Sequence, residues 1–325
     1  MNIYDIAKEA NVSTATVSRV LNNSGKVSEK TRERVLSVVN KYSYSPNVFA
    51  RGLMSASLKT IGVLTVDIRD MYYATVAYTI EQEFEKLGYS VILCNTGVNA
   101  EQKERYIAML TEKQVDGMIF VGSVFRDDTI SGTIEETAQK IPCVIVNGHV
   151  EGAYSVVCDE ADGAAQCVQY LYQKGRSHIL FLQNSNTYSS QNKGRGYEAA
   201  MRAFGGEPRT ILAGPGIDGG YRAVELLLQE GVAVDAILAS EDVCAVGALK
   251  ALLTNGRRVP DETALFGFNN SEFCSCSIPS LSSVDNRMEE MGRQAVFLLY
   301  SILNGKEQSK KTMVPPNLVL RGTTP

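Results

Sequence analysis

The first part of the chain carries apolar residues at helical spacing, and the rest alternates helical and strand-like runs. Ile3, Ile6, Ala7 and Ala10 share one face of a helix over about 3–10, and Asn2 with Asp5 three residues on approaches a capping box. Asn11, a residue that tolerates a left-handed backbone, interrupts it. Ser13 then caps a second helix near 14–21 with Val17, Val20 and Leu21 as its apolar stripe. Thr14, Ala15, Ser18 and Arg19 are left on its other faces. A third helix, capped by Ser28, is expected to bury Val35, Val38, Val39 and Tyr42 and to show Lys30, Arg32 and Arg34 to water.

From residue 60 onward, short β-branched runs at 61–66, 90–94, 115–121, 142–146, 155–158, 178–182, 236–239 and 263–268 alternate with helical stretches at 72–87, 100–113, 160–174 and 193–205. Apolar strands alternating with helices predict parallel sheets covered on both faces. About 265 residues is long for one such unit and the pattern restarts after 142–146, so two doubly wound lobes are expected. Ligands of such sheets bind at the carboxyl ends of the strands, which here means the cleft between the lobes.

Two short helices meeting at a tight turn form a helix-turn-helix pattern, whose second helix has the size and polarity to enter a DNA major groove. Small Thr14 and Ala15 permit close approach and contact with a thymine methyl, and Arg19 reaches a guanine edge or a phosphate. A helical cap that binds another protein is the plainer alternative. Residues 45–58 begin with Ser45-Pro46 and place Phe49 and Leu53 four apart, but the stretch is short and contains Gly52. It reads either as an interdomain linker or as a helix that forms only against DNA and sets Leu53 between base steps in the minor groove.

Charge separates the same two regions. Residues 1–58 hold eight basic and four acidic side chains, a net +4, while the whole chain carries −4, so the remainder carries −8. A basic head on an acidic body points to a polyanion meeting the head alone. The 44% hydrophobic and 21% charged composition is that of a globular protein, with no apolar run long enough for a membrane span and no secretory leader at the start. Seven scattered cysteines without a CxxC pair indicate reduced thiols, and only two histidines, His149 and His178, make a zinc site improbable. A cytoplasmic location, with no membrane, metal or cofactor, is the expectation.

IYDIAKEANVSTATVSRVLN, VSEKTRERV and the NxxARGL stretch resemble the DNA-binding head and hinge of the lactose-repressor (LacI/GalR) family of bacterial transcription regulators. The resemblance continues through QKGRSHILFL, RGYEAAM, SEDVCAVGALKAL, GRRVPDETALFGFNN, LSSVDNRMEEMG and LVLRGTTP, and so covers essentially the whole chain. It implies a fold of helix-turn-helix head and hinge helix followed by two α/β lobes of periplasmic-binding-protein type. The head would be 1–45, the hinge 46–59 and the effector-binding and dimerisation core 60–325. Within the core, one lobe would be about 60–147 and 287–312, and the other about 152–283 and 313–325, with crossings near 147–152, near 283–287 and near the end.

The same resemblance implies roles. Thr14, Ala15, Ser18 and Arg19 stand at base-reading positions, Thr16 and Asn22 at phosphate-contact positions, and Asn47, Ala50 and Leu53 in the hinge that opens the centre of a palindromic operator. Tyr72, Tyr73, Asn147, Lys193, Arg195, Glu241 and Asn269 stand at positions that line the family's effector cleft. Tyr72 and Tyr73 offer aromatic faces to a sugar or base ring, with burial in the core as the alternative. Arg195 has solvent exposure as its alternative, and Asp242 reads better as a helix cap than as a ligand contact. Asn147 and Asn269 occupy places where aspartate is common, and Lys193 one where arginine is common. A cleft changed in this way would be less anionic than a usual sugar pocket, which suggests a sugar acid or sugar phosphate. The implied whole is a homodimeric repressor, without a tetramerising C-terminal extension, that reads a pseudo-palindromic operator under control of a carbohydrate-like effector.

Rival readings are weaker. Residues 214–219 fit GxGxxG after a short strand at 209–212, but no acidic partner completes a dinucleotide-binding unit, so an NAD-dependent oxidoreductase is disfavoured. GxSxG is absent, which weighs against a hydrolase. Cys274 and Cys276 read as two buried thiols rather than a redox pair. A solute-binding protein would explain the body but not the basic head.

Overall fold

The computed structural model describes residues 2–21, 25–42 and 57–325. The chain divides into two units, 1–58 and 59–325. Asn22, Asn47, Ala50 and Leu53, with most of the expected hinge, lie outside the described residues.

The first unit contains α1 (Ile3–Glu9), α2 (Thr14–Leu21) and α3 (Glu29–Lys41). The Asn2 side chain accepts from the backbone N–H groups of Tyr4 and Asp5, and the Asp5 carboxylate accepts from Asn2 N at 2.9 Å, completing the capping box. Asn11 does take the left-handed turn, at φ 50°. Ile6, Ala10, Val17 and Val35 are fully buried where the three helices meet. Tyr42 departs from the expected burial. It is 42% exposed, and its hydroxyl donates to Glu9 at 3.0 Å beside the Lys41–Glu9 ion pair at 2.8 Å. A phenol needs a polar partner for its hydroxyl, and the end of α1 supplies one at the surface.

The second unit contains two six-stranded sheets. The first has strands β1 (Thr60–Thr65), β2 (Ser90–Asn95), β3 (Gly117–Val121), β4 (Cys143–Val146), β5 (Tyr154–Cys158) and β11 (Lys311–Val314), in the order β11-β5-β4-β3-β1-β2 and parallel throughout. The second has β6 (Ile179–Gln183), β7 (Arg209–Leu212), β8 (Ala236–Ala239), β9 (Ala264–Phe268), β10 (Ser282–Asp285) and β12 (Asn317–Val319), in the order β12-β10-β9-β8-β6-β7. Only β12 is antiparallel to its neighbour.

Alternate residues of each strand enter opposite cores, as the pleat requires. In the first lobe, Ile61, Val63 and Ile119 pack with α4 (Met71–Lys86) and α12 (Met288–Leu303). Leu64, Met118 and Phe120 pack on the other face with α5 (Ala100–Glu112) and α6 (Asp128–Ala138). In the second lobe, Phe181, Leu238 and Phe266 meet α7 (Glu160–Gln173) and α8 (Tyr188–Ala203). Leu180, Leu182 and Ile237 meet α9 (Gly216–Gln229) and α10 (Asp242–Thr254). Each such side chain contributes about 1.5–3 kcal/mol when fully buried, which is why both faces of both sheets read as apolar.

The lobe boundaries differ from the sequence expectation. The strand at 154–158 belongs to the first lobe, where Val144 lies opposite Tyr154 in a parallel pair, and residues 311–314 continue that sheet beside it. The chain therefore crosses between lobes at Asp159, at Asn286–Arg287 and at Pro315–Pro316. The connection from β4 to β5 contains no helix, so the strand pattern by itself suggested a change of lobe where none occurs.

The glycines at 214–220 serve a tight turn and helix packing. A Cβ on Gly219 would overlap the Gly214 carbonyl, one on Gly220 the Cys244 carbonyl, and one on Gly247 the Ile217 carbonyl. The GxGxxG match thus marks the tight turn that opens α9, where Gly214 and Gly219 touch and Gly216 takes φ +69°, while Gly220 and Gly247 allow the close passage of α9 over α10.

Candidate functional site

The head presents one face of α2. Val17 and Val20 are buried, Ala15 and Arg19 are exposed, and Thr14, Thr16 and Ser18 are half-buried. Ser13 Oγ accepts from Thr16 N at 3.2 Å and lies 2.9 Å from Thr16 Oγ1, which satisfies the first turn. The stem of Arg19 passes Gly25, whose φ of +75° turns the chain there. The expected reading residues among the described ones therefore share a short, small-residue surface with a cation at its end.

In the core, a cavity of about 380 Å³ lies between the lobes. Its walls come from residues that follow carboxyl ends of strands: Asp67, Asp70, Tyr72 and Tyr73 after β1, Gly122 and Ser123 after β3, and Asn147 after β4. Glu160 opens α7, Asn184 and Lys193 follow β6, Glu241 follows β8, Asn269 follows β9 and Asn286 follows β10. This is where doubly wound sheets place ligands. Gly122 takes φ +114°, and a Cβ there would press into the Tyr73 ring, so the aromatic wall depends on that glycine.

Six of the seven expected cleft residues line the cavity: Tyr72, Tyr73, Asn147, Lys193, Glu241 and Asn269. Asn147 and Asn269 adopt left-handed backbone, φ 59° and 101°, which itself favours asparagine. Arg195 does not line it. The residue is exposed, its Nη2 donates to Asn192 at 3.1 Å, and its guanidinium lies 5.4 Å from the Tyr188 ring centre. Two residues along a helix rotate a side chain by about 200°, so Lys193 and Arg195 cannot share a face.

The floor of the cavity is a polar network. Glu160 Oε1 accepts from Asn147 Nδ2 at 3.0 Å and Ser189 Oγ at 2.6 Å, and lies 3.5 Å from Lys193 Nζ. Lys193 also donates to the Ser240 carbonyl at 3.0 Å and sits 4.2 Å from the Phe268 ring centre. Asn184 Nδ2 donates to Glu241 at 2.5 Å and Asn184 Oδ1 accepts from Ser240 Oγ at 2.7 Å. Burial pushes the Glu241 and Asp70 carboxyls above their ordinary values and raises the Tyr72 phenol well above its own. The Tyr72 hydroxyl and Asn286 Oδ1 are buried without a hydrogen-bond partner.

The lobes also touch beside the cavity. Ser189 N donates to Ser123 Oγ at 3.2 Å, and the Arg126 guanidinium stacks 3.8 Å from the Tyr188 ring centre. Arg126, Glu160, Asn184 and Asn286 were not singled out from the sequence. Their common signal is position just past a strand's carboxyl end or at a helix start.

Three expectations need correction. The lining contains Asp67, Asp70, Glu160 and Glu241 against Lys193, its single cation among the described residues, so the two asparagines do not leave the site short of carboxyl groups and give no reason to expect a sugar acid or sugar phosphate. Asp242 neither caps α10 nor lines the cavity. It is 2% exposed and accepts from Ser271 N at 2.6 Å, Ser271 Oγ at 2.8 Å and Ser283 Oγ at 2.6 Å, which ties α10 to β10. Cys274 is buried as expected, but Cys276 is exposed because both sit on the single turn α11 (Phe273–Cys276) and face different ways.

No described helix is long and apolar enough to cross a membrane. Residues 2–47 match the family described as bacterial regulatory proteins, lacI family, and residues 168–324 a periplasmic binding protein-like domain. An HTH-type transcriptional regulator of Lachnoclostridium phytofermentans is 36% identical over 100% of this chain and 99% of its own length. The crystal structure of the lac repressor dimer bound to operator and the anti-inducer ONPF superposes with a TM-score of 0.92 at 26% identity, covering 100% of this chain and 99% of that one. A structure of the transcriptional regulator CelR with cellobiose gives 0.72 at 26% identity over 99% of both chains. With its reading helix in the head and its cavity between two parallel-sheet lobes, the chain belongs to the LacI family of bacterial regulatory proteins, which are DNA-binding transcriptional regulators and not enzymes.

Proposed function

We propose that the protein is a cytoplasmic, homodimeric repressor whose operator affinity is set by a polyhydroxylated small molecule held between the lobes. The observation that carries the effector half is the cavity itself, walled by two tyrosines and closed over a Tyr72 hydroxyl and an Asn286 oxygen that lack partners. Buried polar atoms are normally paired, so a bound hydroxylated ligand supplies what they lack. The solved relatives named above, one with ONPF and one with cellobiose, agree with a ligand of that kind.

In this reading Thr14, Ala15, Ser18 and Arg19 read base edges and Thr16 meets a phosphate. One short helix makes too few base contacts for specificity, so two heads across a dyad read a pseudo-palindrome. Effector binding favours one closure of the lobes, across contacts such as Arg126–Tyr188 and Ser123–Ser189, and that closure is linked to DNA affinity through differential binding of the two states. The test is fluorescence anisotropy of the full chain with duplexes carrying its candidate operator over a salt series. Log affinity falling linearly with log salt, with a slope of several units, is expected; a flat response rejects DNA as the partner.

A further inference from the structure

The cavity's charges are unevenly matched. Lys193 is the sole cationic side chain in the lining among the described residues, and it is committed to Glu160, the Ser240 carbonyl and the Phe268 ring. Asp67 is paired outward with Arg69 at 2.6 Å. That leaves Asp70, from the first lobe, and Glu241, from the second, without an ion-pair partner among the described residues. Each uses one oxygen within the protein: Asp70 Oδ1 accepts from Tyr72 N at 2.8 Å, and Glu241 Oε2 accepts from Asn184. Burial disfavours charge on both and outweighs the pull of the shared Lys193, and the negative charge of Asp67 on Asp70 and of Asp70 on Glu241 adds to it.

A separate observation also asks for a donor. Asn286 is 1% exposed, lines the cavity and donates to Asn269 Oδ1 at 2.9 Å, which leaves its own Oδ1 unsatisfied. Two carboxyl groups without an ion pair of their own and an orphaned acceptor make the lining rich in acceptors, the opposite of what an anionic ligand needs. Resting on the effector reading above, we propose that the ligand is a polyhydroxylated molecule bearing a protonated amine, an amino sugar in chemical class, whose ammonium is held by Asp70 and Glu241. The ammonium removes the charge imbalance as the lobes close on it, so a neutral sugar of the same shape gains less.

Calorimetry and thermal shift on the full chain test this with D-glucosamine, D-galactosamine and D-mannosamine, each beside its N-acetyl, neutral-hexose and hexuronate counterparts. At least one amine should raise the melting temperature, its neutral and acidic counterparts should bind at least about tenfold more weakly, and Glu241→Gln should abolish that preference. A neutral or acidic counterpart that binds as well as the amine overturns the proposal and leaves the effector reading standing. Absence of binding by all three amines also overturns it, and operator binding by the same preparation then shows that the regulator itself is intact. A ligand-free measurement adds a second check. The double variant Asp70→Asn, Glu241→Gln keeps an N-cap at 70 and should raise the melting temperature of the unliganded protein; an unchanged or lower value removes the premise of unmatched charge.

Discussion

Glu160 and Lys193 lie 3.5 Å apart with side chains only 3% and 5% exposed, one on α7 and the other on α8 of the same lobe. Asn147 reaches the same carboxylate oxygen from the opposite lobe, so the pair supports both the packing of the second lobe and the junction with the first.

Removing one member of this pair should cost about 3–5 kcal/mol, because the remaining charge is left buried and uncompensated. Urea denaturation of Lys193→Met should show that loss, and the double variant Lys193→Met, Glu160→Gln should recover much of it. A single variant as stable as the parent would mean that the two charges are independent.

Arg19 is exposed at the end of the α2 surface, away from the buried face formed by Val17 and Val20. Arg19→Ala should weaken operator binding by about 1–3 kcal/mol in anisotropy titrations while leaving ligand-induced thermal shifts unchanged. Loss of both would contradict the modular organisation.

Two glycine substitutions should have opposite effects. Gly220→Ala drives a methyl into the Cys244 carbonyl, backbone against backbone, and should destabilise by about 1–3 kcal/mol or more. Gly132→Ala, inside α6 with nothing within 4 Å of its Cβ, should stabilise by about 0.5–1 kcal/mol. Equilibrium unfolding of the two variants side by side separates the packing effect from helix propensity.

The pH dependence has a definite sign. Burial raises Glu241 above its ordinary value of 4.5, so the folded state holds this proton more tightly than the unfolded one. Stability from this group is therefore greatest at low pH and is lost as pH rises from about 4.5 through the elevated folded value. Glu9 acts the other way: its carboxyl is lowered by hydrogen bonds from Lys41 and Tyr42, and its contribution is lost as pH falls. Melting temperature against pH for Glu241→Gln, subtracted from the parent curve, should isolate the first effect as a difference that grows toward neutral pH. A flat difference would show that Glu241 titrates as an ordinary surface carboxyl.

Local pattern was enough for much of this molecule. The 3.6-residue spacing of Ile3, Ile6, Ala7 and Ala10, the capping residues Asn2, Ser13 and Ser28, and the β-branched runs after residue 60 report on nearest neighbours along the chain, and the structure places helices and strands there. The family resemblance, rather than periodicity, pointed to Tyr72, Tyr73, Asn147, Lys193, Glu241 and Asn269, and the structure lines one cavity with all six. Only the tertiary structure decided that β5 joins the first sheet, because strand partnership is a long-range choice that periodicity does not encode. It likewise decided that Arg195 turns away from the cleft, that Asp242 binds Ser271 and Ser283, and that Asp70 and Glu241 face a common cavity with too little positive charge. Charge balance in a buried site is a sum over side chains distant in sequence, and counting two asparagines in place of aspartates misses the carboxylates that folding brings in from other strands.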